Sequence, residues 1–308
     1  MIQSVFTDAK EMLLIALGVS AVIYTWFLVR DFSQRRRAQR EAGVPVTSVA
    51  PTRGGLATGF LTNFFDSLGV GSYATTTSIF RFWRMVPDEQ IPGTMNVGHT
   101  LPTIVEAFFF KQVVPIDART LILMIAASVA GAWMGASVVT SWSRRVVQIA
   151  MGCALFVAAA LMLPGLLNLM PAAGVALSLT GWKLGVAISV NFMLGALMTL
   201  GIGLYAPCMI MMSLLGMSPT AVFPVMTGSC ALLMPLASIR FLRSGRYEPR
   251  ALLGLLAGGI PAVLIAVYLV KSLPVLVMKW LVVVVVVYTA TGLLRTAARE
   301  RAAAAVTA

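Results

Sequence analysis

Two short stretches offer chemistry without any reactive side chain. LGVGSYA occupies residues 68–74 and LGIGLYA residues 200–206, 132 positions apart in a chain of 308. Each sets two glycines one residue apart in sequence that otherwise favours helix. A glycine inside a helix costs about 1 kcal/mol relative to alanine. Glycines two apart face different ways, so a close-packing face of the GxxxG kind explains them poorly. They suit a local unwinding, which frees backbone N–H and C=O groups to meet a ligand in a cavity. N–H groups at the start of a half-helix attract anions. The candidate binding residues are therefore Gly69, Gly71, Ser72, Tyr73 and Thr75 at the first break, and Gly201, Gly203 and Tyr205 at the second. The first break is rich in polar side chains, whereas the second contributes mostly backbone.

Three further groups are able to carry a proton or line a polar path: Asp66, His99 and Glu106. An acid inside a membrane span is costly and reads as functional by default. The bland alternatives are that Asp66 caps the break and that His99 is a satisfied structural group. Glu106 follows His99 by seven residues, about two helical turns, so the two face roughly one way. One histidine and three scattered cysteines, Cys153, Cys208 and Cys230, make no metal ligand set. No phosphate-binding GxxxxGK[ST] loop and no nucleophile–base pair is present, so neither cofactor nor catalytic centre is expected.

These residues need elements to hold them, and composition says which. The chain is 59% hydrophobic and 11% charged, with mean hydropathy +0.90, against about 25% charged residues in a soluble domain. Long uncharged apolar runs predict membrane helices. The net charge of +12 sits in short connectors, which points to orientation in a bilayer and not to nucleic acid. Spans are expected near 12–29, 55–80, 91–110, 119–140, 146–163, 184–212, 220–240, 251–270 and 276–294. Alternating these nine spans leaves sixteen basic residues on one side and seven on the other, which favours an outer N-terminus and inner C-terminus. That count places Arg81, Arg84, Arg144 and Arg145 outside.

Shifting the chain by 132 aligns residues 68–92 with 200–224 at eight identical positions of twenty-five. The expected architecture is an all-α polytopic membrane protein of two repeated four-helix units. Residues 1–54 form an extra membrane helix and basic linker, 55–163 the first unit, 164–183 a connector, 184–294 the second unit and 295–308 a tail. If each unit instead hides a re-entrant half-span, the units are related by inversion. Two similar halves framing a central site are a transporter habit.

The stretches GFLTNFFDSLGVGSYATTTSIF (59–80) and NFMLGALMTLGIGLYAPCMIMMSLLGMSPTAV (191–222) resemble the TauE/SafE family of sulfite exporter-like permeases. VVPIDARTL and GRYEPRALL add to the resemblance, which covers about 55–294 and leaves the leading helix outside. Members usually read near GxGGG followed by a proline. Here the first break reads GVGS without it, and the second reads GIGL with Pro207. The resemblance implies a multi-pass permease of the inner (plasma) membrane for a small anion such as sulfite, a sulfonate or a related organic acid. The expected partners are that anion and the lipid bilayer, with no nucleic acid; a homo-oligomer is left open. Two other readings stand beside it. One is a membrane-embedded enzyme or scaffold built on Asp66, His99 and Glu106, and the other is an anion channel.

Overall fold

The computed structural model describes residues 2–43, 49–67, 72–109, 116–167, 169, 175–201, 203–269 and scattered helical positions between 280 and 298. Ten α-helices follow in order: α1 (Ile2–Glu41), α2 (Arg53–Asp66), α3 (Ser72–Phe82), α4 (Ile91–Phe109), α5 (Ala118–Val139), α6 (Arg144–Leu166), α7 (Gly181–Met198), α8 (Tyr205–Leu214), α9 (Pro219–Ser244) and α10 (Pro249–Leu269). Among the described residues there is no strand beyond one isolated bridge, Ala176 to Met217. Six helices are long and apolar enough to cross a membrane: α1, α5, α6, α7, α9 and α10. The chain is a multi-pass membrane protein.

Both broken segments interrupt as expected, but neither continues in line. Met85, just past α3, lies with its sulfur 3.9 Å from Thr58 Oγ1 in the first half of α2. The end of α3 has therefore come back to the start of α2. The second segment does the same from the other end. Lys183 Nζ, in the first turn of α7, donates to the Leu215 carbonyl just past α8 at 3.1 Å. Ser218 N–H donates to the Ala176 carbonyl at 2.9 Å, closing the base of that hairpin. Counting 55–80 and 184–212 as single crossings was thus a misreading of two helical hairpins. A hairpin and a crossing have the same composition, so hydropathy cannot separate them.

The hairpins enter from opposite ends. The first opens at the end where α9 meets α10: Glu248 N–H in that junction donates to Thr94 Oγ1 at the start of α4, 2.9 Å away. Arg246 from the same junction donates to the Trp142 carbonyl just after α5. Gln148 of α6 reaches Asp88, in the 3-10 turn before α4, at 2.9 Å. At the far end, Asp117 N–H before α5 donates to the Leu177 carbonyl before α7 at 3.2 Å. At 1.5 Å per residue, α2 is about 21 Å long and α7 about 27 Å. Each is longer than half of a hydrocarbon core about 30 Å thick.

The packing is crosswise. α2 lies along α10 and α7 along α5, so each hairpin leans on a helix from the other half of the sequence. α4 and α9 pack together at the centre. The close approach of α7 to α5 requires Gly195, where an added Cβ would overlap the backbone of Ser128. We expect Gly195→Val to lose at least about 3 kcal/mol, because overpacking against backbone cannot relax through a rotamer. Thermal unfolding in detergent checks this, and a Tm within a few degrees of the parent would contradict the packing.

α1 runs alongside α4 and α9. Tyr24 Oη donates to the Val97 carbonyl at 2.6 Å, and Tyr247 of the α9–α10 junction donates to Asp31. Arg35 pairs with Asp31 at 2.9 Å and lies 4.5 Å over the Tyr247 ring. Burial and the neighbouring Asp31 push the Tyr247 phenol up, so this contact stays protonated throughout the physiological range. Because the hairpins turn back, Arg81, Arg84, Arg144 and Arg145 lie at the same end as Arg35 and Arg246, where alternation had separated them. Among the described residues every arginine except Arg119 lies toward that end.

Candidate functional site

The second tip reaches into the first half of the chain. Thr199, at the end of α7, offers its carbonyl to Asn96 Nδ2 of α4 at 3.4 Å. Gly201 takes φ +103°, which an L side chain rarely adopts. A Cβ added there would lie 3.3 Å from Met95 Cε and 3.7 Å from Thr77 Oγ1, so the second tip touches α4 and the returning arm of the first hairpin. Gly69 and Gly71 lie outside the described residues.

The chain closes the first tip on itself. Asp66, the last residue of α2, accepts from the Ser72 N–H at 3.0 Å and from Ser72 Oγ at 2.8 Å. A carboxylate thus caps the start of α3 across the break, the role a local reading gives an Asp before a helix. Ser72 Oγ is committed to that cap. Thr75 Oγ1 bonds to the Ser72 carbonyl at 2.8 Å. Tyr73 is buried and its hydroxyl donates to Asn96 Oδ1 at 3.4 Å.

The second tip differs. α8 starts at Tyr205, and no side chain caps it. The first N–H groups of a helix have no partner within it, and Pro207 has no N–H to add. Among the described residues the N–H groups of Leu204 and Tyr205 have no backbone acceptor. A Cβ added at Gly203 would meet none of the described residues within 4 Å, so none of them fills the space beside these donors.

Two carboxylates lie within electrostatic reach of Tyr205 at the start of α8. Glu106 is 3% exposed, and Asp66 and Tyr205 both lie within electrostatic reach of it. Among the described residues Glu106 has neither a cation nor a hydrogen-bond donor as partner. Lys111, the partner a sequence reader would pick, lies outside the described residues.

His99 does something else. It is fully buried, with Nδ1 3.0 Å from Asn63 Oδ1 and Nε2 2.9 Å from Thr76 Oγ1. Asn63 Nδ2 donates to the Gly59 carbonyl at 2.7 Å, which fixes the amide and leaves Oδ1 to accept. The histidine must then donate from Nδ1, and Nε2 accepts from Thr76. A neutral imidazole satisfies every member and ties both arms of the first hairpin to α4. Among the described residues His99, Asp66 and Glu106 therefore share no hydrogen-bonded set. We expect His99→Gln to lower stability by about 1–3 kcal/mol through one orphaned partner. The pH profile of transport should stay where it is, and a shifted profile would give His99 a proton-carrying role.

Sequence reasoning missed Asn96 and Thr76 as part of the joint. Asn96 precedes His99 by three residues, a spacing that puts both on one helix face. Thr100 Oγ1 and Ser238 Oγ, 2.9 Å apart, extend this polar seam between α4 and α9.

Known proteins were compared with the chain. The family profile described as Sulfite exporter TauE/SafE matches residues 3–162. The match takes in α1, which the motif resemblance leaves out, and stops within α6 before the second hairpin. No curated protein matches the chain, and no solved structure does. The profile spans more than half of the sequence and agrees with the motifs at the first break, so the chain belongs to the TauE/SafE sulfite exporter family of membrane transporters.

Proposed function

We propose that the protein is a secondary transporter of the inner (plasma) membrane that moves a small anion, such as sulfite, a sulfonate or a related organic acid, together with protons. The observation that carries this reading is the uncapped start of α8 beside Gly203, where an added Cβ would meet none of the described residues. Bare N–H groups at a helix start draw negative charge. The Tyr205 hydroxyl is the further donor in this reading, since the Tyr73 hydroxyl is already given to Asn96. At the first tip Asp66 already supplies an anion to α3, so the vacant place is at the second.

The site has two acids and, among the described residues, no cation. An anion entering beside two ionised carboxylates is repelled, so a proton on Glu106 is the natural companion of the substrate. Asp66, anchored by two donors, stays in place as the cap. We read the units 55–163 and 184–294 as inverted repeats, each carrying one hairpin, with access alternating between the two ends. The arginine-rich end is the cytoplasmic one by the positive-inside rule, which puts the N-terminus outside and the C-terminus inside.

Proteoliposomes loaded at neutral pH and diluted into acidic buffer test this. Saturable, gradient-driven uptake of labelled sulfite, a short sulfonate or a small carboxylate is expected. Uptake of none of the three would refute the reading. Flux that neither saturates nor follows the proton gradient would make the protein a channel.

A further inference from the structure

At the arginine-rich end three arginines lie on aromatic rings in one continuous patch. On α9, Arg240 and Arg243 stand three residues apart and so share a helix face. The Arg240 guanidinium lies 3.9 Å over the Trp133 ring of α5, and that of Arg243 lies 5.4 Å over the Phe27 ring of α1. Phe27 meets Trp26 edge-on with ring centroids 4.8 Å apart, and Arg30 lies 5.1 Å over Trp26. The patch therefore crosses from α5 over α9 to α1, helices that pack together. Among the described residues none of the three arginines has an acidic partner. Asp31, next to Arg30, is held by Arg35 and Tyr247. Among the described residues Arg240 Nε is buried and finds no acceptor.

A guanidinium stacked on a ring spends its face there and keeps its in-plane N–H groups for acceptors. Arg240 lies four residues before the end of α9 at Ser244, about 6 Å into the span. An arginine at that depth is costly without an acceptor, and snorkelling toward water does not supply one to a buried Nε. A lipid phosphodiester does. It lies within reach of an arginine side chain near a helix end, accepts from planar guanidinium groups and carries the opposite charge. Met134 beside Trp133 and Val29 beside Arg30 are exposed, so apolar surface flanks the patch where acyl chains would run. We propose that Arg240, Arg243 and Arg30, on the faces of Trp133, Phe27 and Trp26, form a binding site for the headgroup of an anionic phospholipid, which bridges α1 to α9 and α5.

This site does not rest on the transport reading, because binding is measured without substrate. The full chain in detergent is mixed with phosphatidylglycerol or phosphatidylcholine at equal concentration and read by native mass spectrometry. One phosphatidylglycerol per chain should be retained where phosphatidylcholine is lost, and excess inorganic phosphate should not displace it. Arg240→Gln and Arg243→Gln should each weaken retention about fivefold, the loss expected of one arginine near a charged surface. Arg243 is exposed, so its variant reads binding free of a folding defect. Arg36→Gln combined with Arg37→Gln changes two exposed arginines farther along α1 and should leave retention as it was. Equal retention of both lipids, displacement by phosphate, parental retention in Arg243→Gln, or an equal loss in the variant of Arg36 and Arg37 would overturn the proposal.

Discussion

Glu106→Gln should abolish proton-driven accumulation of the anion while leaving anion exchange intact. Glu106 is buried at 3% exposure and, among the described residues, has no charge or donor to compensate it. On the proposed reading a proton, or a substrate that brings one, neutralises it. Glutamine keeps the shape and removes the titration. One coupled proton under a gradient of one pH unit supports about tenfold accumulation, and that factor is what the variant loses. Exchange of labelled for unlabelled anion needs no net proton movement and should persist. Glu106→Asp, which still titrates, should retain part of the accumulation. Gradient-driven uptake by Glu106→Gln at the parental level would place the coupling elsewhere.

Gly203→Val should fold normally and fail to transport. The residue is not among those with positive φ, and a Cβ there meets none of the described residues within 4 Å. A stability change under about 1 kcal/mol is expected, as for substitutions that touch nothing. The same place is where an anion would reach the N–H groups of α8, so uptake should fall by about tenfold or more. Gly201→Val is the contrast: φ +103° makes it strained, and it should lose folded protein. Normal transport by a well-folded Gly203→Val would remove the second tip from the substrate path.

The helical class, the two interruptions and the leading helix were legible because apolar run length and glycine spacing are local properties. The direction of the chain after each break was not. Residues 55–80 look alike whether they cross the membrane or turn back, and only Met85 against Thr58 and Lys183 against Leu215 decide it. The charge pattern carried a hint: Arg81, Arg84, Arg144 and Arg145 were the misfits of a simple alternation, and the hairpins bring them to the end that holds nearly all the others. Asp66 was legible as a cap from its place before a glycine break. His99 was not legible as a clamp, because Asn63 and Thr76 come from two arms that no sequence spacing brings together.

The most direct measurement is the position of the anion itself. The protein in lipid nanodiscs with a heavy-atom analogue such as selenite, imaged at a resolution that shows side chains, should place the anion between the two hairpin tips. It should lie against the first N–H groups of α8, beside Gly203 and within reach of Tyr205. An anion bound only outside the hairpins, with the space at Gly203 closed by protein, would contradict the account.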